Sequence, residues 1–243
     1  MSLFFVDDRT GWLTVTVYTN DGPAGFIFGT VDSGAHWRPL GDRLNARPQG
    51  VAFRNADDGY LLAATAEQDR RRAFSVDLQN GATKSEFLVG GNASVLLSLT
   101  EGGAKAEAVM KTASSLYAIN AAASGTILTC GSGGSVLRSG KSENTWERVK
   151  AGTRADLNDI SFAKQKSVSA GLAVGEEGVI LASTDEGRTW RKLQHAIGQC
   201  GFVAVEMLGA SNAVAATSDA VYLLDLSETL IADASQPSEA VPM

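Results

Sequence analysis

Apolar residues in this chain come in short runs rich in Val, Ile, Leu and Phe, bounded by Gly, Asn, Asp and Ser. Runs of that length and punctuation predict strands joined by hairpins in antiparallel sheets. The clearest group lies late in the chain. Leu157 to Phe162, Gly171 to Gly175, Val179 to Ser183 and Trp190 to Leu193 read as four successive strands. Four such strands in about 40 residues make one blade of a β-propeller.

The same order recurs. Leu3 to Val6, Trp12 to Val17, Phe26 to Thr30 and Trp37 to Leu40 form a first unit. A second reads Val51 to Phe53, Gly59 to Ala64, Ala73 to Asp77 and Ser85 to Val89. A third reads Leu116 to Asn120, Thr126 to Cys130, Ser135 to Ser139 and Trp146 to Val149. The last has Phe202 to Met207, Ala213 to Ala216 and Val221 to Leu226, with Thr229 to Ala232 as a candidate outer strand. Between Gly90 and Ser115, the runs Ser94 to Leu99 and Ala106 to Lys111 flank Glu101-Gly102-Gly103 and read as an irregular insertion, half a blade or a degenerate unit. The expected fold is therefore all-β. It is a propeller of about five four-stranded antiparallel blades, six if residues 90–114 count as a unit. One domain spans 1–232, and the polar residues 233–243 form a tail. A closed ring is expected, because an open arc leaves exposed strand edges.

Two of the turns are nearly the same sentence. Ser183-Thr184-Asp185-Glu186-Gly187-Arg188-Thr189-Trp190 parallels Thr30-Val31-Asp32-Ser33-Gly34-Ala35-His36-Trp37. A lengthened version keeps Asp77 and Gly81, and a third copy keeps only Thr145-Trp146. Each residue has a structural task. Asp accepts backbone N–H bonds across a tight turn. Gly34 and Gly187 supply positive φ. Thr189 bonds with its hydroxyl, and Trp37, Trp146 and Trp190 cover their hairpins, burying on the order of 200 Å² each. A calcium loop needs more carboxylates at fixed spacing, so no metal is expected, and His36 reads as a surface variant in the Thr place. Gly131-Ser132-Gly133-Gly134-Ser135 lacks the following helix and the Gly-Lys-Ser/Thr of a phosphate loop, so it reads as a β-turn. Arg70-Arg71-Arg72 reads as a solvated hairpin tip.

Composition narrows the classes. The chain has 243 residues, a net charge of −6 and ordinary apolar content of 44%. That length suits one large all-β domain. The acidic balance argues against nucleic acid. No run of ~18 apolar residues is present to span a membrane. Met1 to Asp8 has neither a basic n-region nor a long apolar h-region, so it does not read as a signal peptide. Cys130 and Cys200 can form one disulfide or remain free. They lack the CxxC and His neighbours of a zinc site.

The Ser-x-Asp-x-Gly-x-Thr-Trp motif is the Asp box, or BNR repeat. Ser183 to Trp190 matches it in full, and Thr30 to Trp37 matches except at His36. It occurs in sialidases, in sortilin-type receptors and in other propellers. The wording from Gly171 to Trp190 most resembles propellers like the photosystem II stability/assembly factor. That resemblance implies a non-enzymatic scaffold that binds a protein partner, assembling or stabilising a membrane protein complex, exported or lumenal and without a cofactor. The alternative is a carbohydrate-binding or sialidase-like propeller. Sialidase chemistry needs an arginine triad, a Tyr nucleophile with a Glu partner and an Asp acid/base. The nearest approach to its Phe/Tyr-Arg-Ile-Pro segment is Phe53-Arg54-Asn55, and Tyr18, Tyr60, Tyr117 and Tyr222 carry no partner motif.

Overall fold

The structure, a computed structural model, describes residues 2–20, 22–44, 46–64, 94–100, 105–112, 114–140, 145–165, 168–198 and 200–227. Among the described residues, nineteen strands form five antiparallel sheets, each in sequence order. Blade 1 is β1 (Ser2–Phe5), β2 (Gly11–Thr19), β3 (Gly22–Thr30) and β4 (Arg38–Leu44). Blade 2 is β5 (Arg47–Phe53), β6 (Gly59–Ala64), β7 (Ser94–Thr100) and β8 (Lys105–Lys111). Blade 3 is β9 (Leu116–Ala121), β10 (Ile127–Gly131), β11 (Ser135–Ser139) and β12 (Trp146–Lys150). Blade 4 is β13 (Leu157–Phe162), β14 (Gly171–Gly175), β15 (Ile180–Ser183) and β16 (Arg191–Lys192). Blade 5 has three described strands, β17 (Phe202–Met207), β18 (Asn212–Thr217) and β19 (Val221–Asp225). This is the propeller-type, all-β architecture that the hairpin pattern predicts.

A packing rule repeats inside the blades. Phe5 pairs with Gly11, Phe53 with Gly59 and Phe162 with Gly171. In each, a Cβ on the glycine would press into the phenylalanine ring. The innermost strand thus ends on a ring that lies flat over its neighbour's bare backbone. These rings and the aliphatic rows beside them fill the space between blades. The first strands β1, β5, β9, β13 and β17 pack in succession. Trp12 of blade 1 stacks on Phe53 of blade 2 at 3.6 Å and 6°. Polar latches add to this packing. The Ser94 hydroxyl of blade 2 accepts the Leu116 N–H of blade 3 at 2.8 Å. Between blades 4 and 5, Asp159 accepts the Val205 N–H at 2.8 Å and Ser161 Oγ accepts the Met207 N–H at 3.0 Å. Asn158 Nδ2 donates to the Phe202 carbonyl at 2.8 Å.

Two expectations change. The runs near 94–99 and 106–111 are no insertion or half blade; as β7 and β8 they complete blade 2 beside β6. The physical reason is burial: Leu96, Leu97 and Leu99 lie in the core beside β6. The turn carrying Asp77 and Gly81, the Arg70-Arg71-Arg72 run, the candidate strand Thr229 to Ala232 and the tail lie outside the described residues. Of the two alternatives open for the cysteines, the structure has them free: Cys130 is buried in β10 and Cys200 is half-buried ahead of β17. Second, among the described residues the sheets do not close into the expected ring: no strand of blade 5 packs closely on a strand of blade 1.

Candidate functional site

The two repeated turns have the same internal wiring. In blade 4, Ser183 Oγ accepts the Gly187 N–H at 2.8 Å and donates to Asp185 Oδ1 at 2.8 Å. Asp185 accepts the Thr189 N–H at 2.9 Å and the Thr189 hydroxyl at 2.7 Å. Trp190 Nε1 donates to the Gly187 carbonyl at 3.1 Å, and its ring meets Phe162 edge-on at 6.0 Å. In blade 1, Thr30 takes the place of Ser183, and Asp32 accepts the His36 N–H at 3.0 Å. His36 Nδ1 lies 2.7 Å from Asp32 Oδ2, where the Thr189 hydroxyl lies in the other copy. The imidazole therefore does the threonine's work, and the substitution keeps the wiring. Trp37 meets Phe5 edge-on at 6.2 Å, as Trp190 meets Phe162. Gly34 and Gly187 have φ of 83° and 75°. In the degenerate third copy Trp146 lies edge-on to Tyr60 at 5.1 Å, joining blades 2 and 3.

These bonds tune the carboxylates. The His36 backbone N–H, then its ring and the Thr30 hydroxyl, hold Asp32 down at about 2. Burial pushes Asp185 up, but the bonds from Thr189, Ser183 and Arg188 outweigh it and leave its pKa lowered. Every acceptor lobe of both carboxylates that the turn uses is directed inward at the hairpin. The Asp185 turn also docks on blade 3. The Thr126 hydroxyl donates to Glu186 Oε2 at 3.3 Å, Arg138 Nε donates to the Glu186 carbonyl at 3.0 Å, and Leu128 presses against Gly187. Both turns are wired as hairpin locks, and the Asp185 turn is a blade-to-blade contact as well.

A different set of residues is related by strand register. The innermost strand of four consecutive blades carries a β-bulge at the same place near its start. The register slips between Pro48 and Gly50, opposite Cys130/Gly131 in β9, between Leu157 and Asp159, and between Phe202 and Ala204. The extra residues are Gln49, Tyr117, Asn158 and Val203. Bulges twist a strand and re-aim one side chain, and they recur beside functional sites. By register they make one collar of equivalent positions running from blade 2 to blade 5. Asn158 Nδ2 also donates to Glu176 Oε1 at 2.9 Å, and the Tyr117 hydroxyl donates to Asp156 Oδ2 at 3.1 Å. Asp156 in turn accepts the Gly133 N–H at 2.8 Å.

Beside this collar lies an open cavity of about 470 Å³, lined by Val15, Thr16, Tyr18, Arg47, Pro48, Gln49 and Tyr117. Tyr18 is exposed and Gln49 Oε1 is buried without a hydrogen-bond partner. A cavity with two tyrosines, a cation, a proline wall and an unmet carbonyl can hold an extended polar segment. No residue pair there has the arrangement of nucleophile and base. Burial and the Asp156 carboxylate push the Tyr117 phenol up, away from a reactive phenolate. Burial pushes the Cys130 thiol well above its ordinary range, which makes it inert. Arg54 lies over the Tyr60 ring at 5.2 Å, and Asn55 caps its turn by accepting the Asp57 and Asp58 N–H groups. Among the described residues no group of three or more His, Cys, Asp or Glu is placed to hold a metal, and no helix is long and apolar enough to cross a membrane.

Sequence reasoning placed the locks at Asp32, Gly34, Trp37, Trp146, Asp185, Gly187, Thr189 and Trp190 but missed the collar. Gln49, Tyr117, Asn158 and Val203 share no residue type. Only strand register makes them equivalent.

No family model matches the chain, and no curated protein matches it. Solved structures do. A structure of YCF48 bound to D1 peptide aligns at 14% identity over 93% of this chain and 92% of that one, with a TM-score of 0.42. YCF48 from Cyanidioschyzon merolae aligns at 16% identity over 92% of this chain and 81% of that one, with a TM-score of 0.49. A nidogen/laminin complex aligns at 12% identity over 94% of this chain and 76% of that one, with a TM-score of 0.58. At these identities the likeness is one of fold, and with the five sequential antiparallel sheets it makes this chain a β-propeller.

Proposed function

We propose that the chain is a non-enzymatic propeller scaffold that binds a protein partner at the collar mouth. The observation that supports this most is the cavity beside Gln49 and Tyr117. It is open, mixed in polarity and lined by residues from three packed blades, so the fold presents it preformed. Preformed sites bind with less ordering cost. The aromatic and arginine content matches what protein interfaces favour. The finer reading, an assembly or stability factor for a membrane protein complex, draws its support from the repeat wording between Gly171 and Trp190.

The test is affinity capture with the tagged chain beside a Tyr18→Ala/Arg47→Glu variant, both checked for folding by circular dichroism. A partner retained by the parent and lost by the variant is the expected result. Capture that is equal for both, or no specific partner at all, would sink the assignment to this mouth.

A further inference from the structure

The central hairpin of blade 1 outgrows its blade. β2 and β3 run nine residues each, where β14 and β15 of blade 4 run five and four. β1 covers β2 from Gly11 only as far as Thr14, which lies opposite Ser2. Among the described residues, no strand pairs with Val15 to Thr19 on that edge. The ladder between β2 and β3 is unbroken, from Gly11 opposite Thr30 to Thr19 opposite Gly22. Only two residues separate Thr19 from Gly22, so this pair exchanges its own N–H···O bonds. By alternation Val17 and Val15 also bond to β3, and Thr16 and Tyr18 turn N–H and C=O to the open edge. Trp12 and Thr14, of the same parity, direct theirs to Phe4 and Ser2 of β1. Pro23 agrees with this parity. It lies opposite Tyr18, where the ladder needs no N–H from it.

This edge is bare of the devices that blunt the others. β4 carries Arg38, Pro39 and Arg43, β12 carries Glu147 and Lys150, and β16 carries Lys192. Charge and proline on an edge discourage the addition of a further strand. Val15 to Thr19 carry neither, and Tyr18 is 72% exposed. The edge also borders a cavity. Val15, Thr16 and Tyr18 line it together with Arg47, Pro48, Gln49 and Tyr117. Successive side chains point to opposite faces of a strand, so a cavity that touches both Val15 and Thr16 runs along the edge. The same cavity holds Gln49, whose Oε1 is buried and unmet. An extended segment seated there has two edges of its own. One meets Thr16 and Tyr18, and the other can give an N–H to Gln49 Oε1. Pro48, Gln49 and Tyr117 stand where the next strand of another sheet would have to lie, so a single segment fits and a second copy's sheet does not.

We infer that an extended segment of a protein partner adds to blade 1 as a strand on the open edge of β2, in the place that β1 leaves beyond Ser2. This rests on the reading of the cavity as a protein-binding place, and it names how the cavity binds. Recognition runs through main-chain groups, with pockets beside Tyr18 and Tyr117 for alternate side chains.

The test selects short linear peptides from a displayed library on the full tagged chain, then compares the best synthetic peptide on the parent and on Thr16→Pro. Thr16 lies opposite Gly25 in a pair that exchanges no bond, so proline there removes an edge N–H and keeps the β2–β3 ladder. Circular dichroism and the melting temperature check that the variant folds. Peptide binding should weaken about tenfold or more, the loss of a main-chain bond together with the obstruction of the ring. In the parent, hydrogen exchange at the Thr16 and Tyr18 amides should slow several-fold on peptide binding, while Val15 and Val17, already bonded to β3, change little. Equal binding to Thr16→Pro, or Thr16 and Tyr18 amides that exchange as fast with peptide as without, would overturn the strand pairing. If those peptides are nevertheless lost by Tyr18→Ala/Arg47→Glu, the cavity stands as the binding place and only the pairing falls. A library that yields no binder, or binders indifferent to every variant, would sink both. A chain that dimerises in sedimentation, with the dimer lost in Thr16→Pro, would give the edge to a second copy and overturn the partner strand.

Discussion

At the residue scale, one carboxylate per lock organises a whole hairpin, and its removal leaves turn amides without partners. Asp185→Ala should cost about 1–3 kcal/mol in urea unfolding, the price of the unmet Thr189 N–H and hydroxyl. Trp190→Ala should cost about 3 kcal/mol, at the lower end for an aromatic truncation because the ring is only half-buried. An unchanged melting temperature in either variant would contradict the lock. The titrations have opposite signs. Asp32 and Asp185 have folded-state pKa values below the ordinary range, so their stabilisation is present above about pH 4 and fades in acid, for Asp32 as pH falls toward about 2. Asp159 runs the other way. Burial raises it to about 6 despite the Val205 and Ile160 N–H bonds. The fold then binds an extra proton between about pH 4 and 6, and stability should decline as pH rises through that window. Asp159→Asn should flatten this limb of the pH–stability curve and leave the acid limb in place; a curve unchanged above pH 4 would show that Asp159 does not titrate there.

At the element scale, the pairing of a phenylalanine with a bare glycine explains why the second strands of blades 1, 2 and 4 begin with Gly. Gly171→Val should force Phe162 out of its place and cost about 1–3 kcal/mol by overpacking, measured by thermal unfolding. The strands themselves were legible because alternating apolar residues and Gly/Asn/Asp punctuation fix hairpins locally. Blade 4 follows that expectation closely, from Leu157 to Lys192. Blade 2 does not, because the choice between Ala73 to Asp77 and Ser94 to Thr100 as partner of β6 is a competition between distant segments. Pattern alone gives each an equal claim; burial of Leu96 and Leu99 decides it. The bulges were illegible for a related reason. An extra residue in a ladder is defined by what lies opposite, and nothing local marks Gln49 or Tyr117.

At the scale of the whole molecule, stability is distributed unevenly around the arc. Blade 5 hangs on one neighbour and is tied to it by Asn158, Asp159 and Ser161. Ser161→Ala should free the Met207 N–H, cost about 1 kcal/mol and raise amide exchange across β17 to β19 while blades 2 and 3 stay protected. Uniformly raised exchange would mean that the ring unfolds as one unit. The sequence by itself determined the all-β class, the hairpin order and the Asp-centred locks, because each depends on residues within one turn or one strand of each other. Only the tertiary structure decided which strands share blade 2, which side chains form the collar, and that Leu3 of blade 1 and Val221 and Leu223 of blade 5 lie exposed. Those are properties of register and of neighbours in space, set by the burial of residues far apart in the chain.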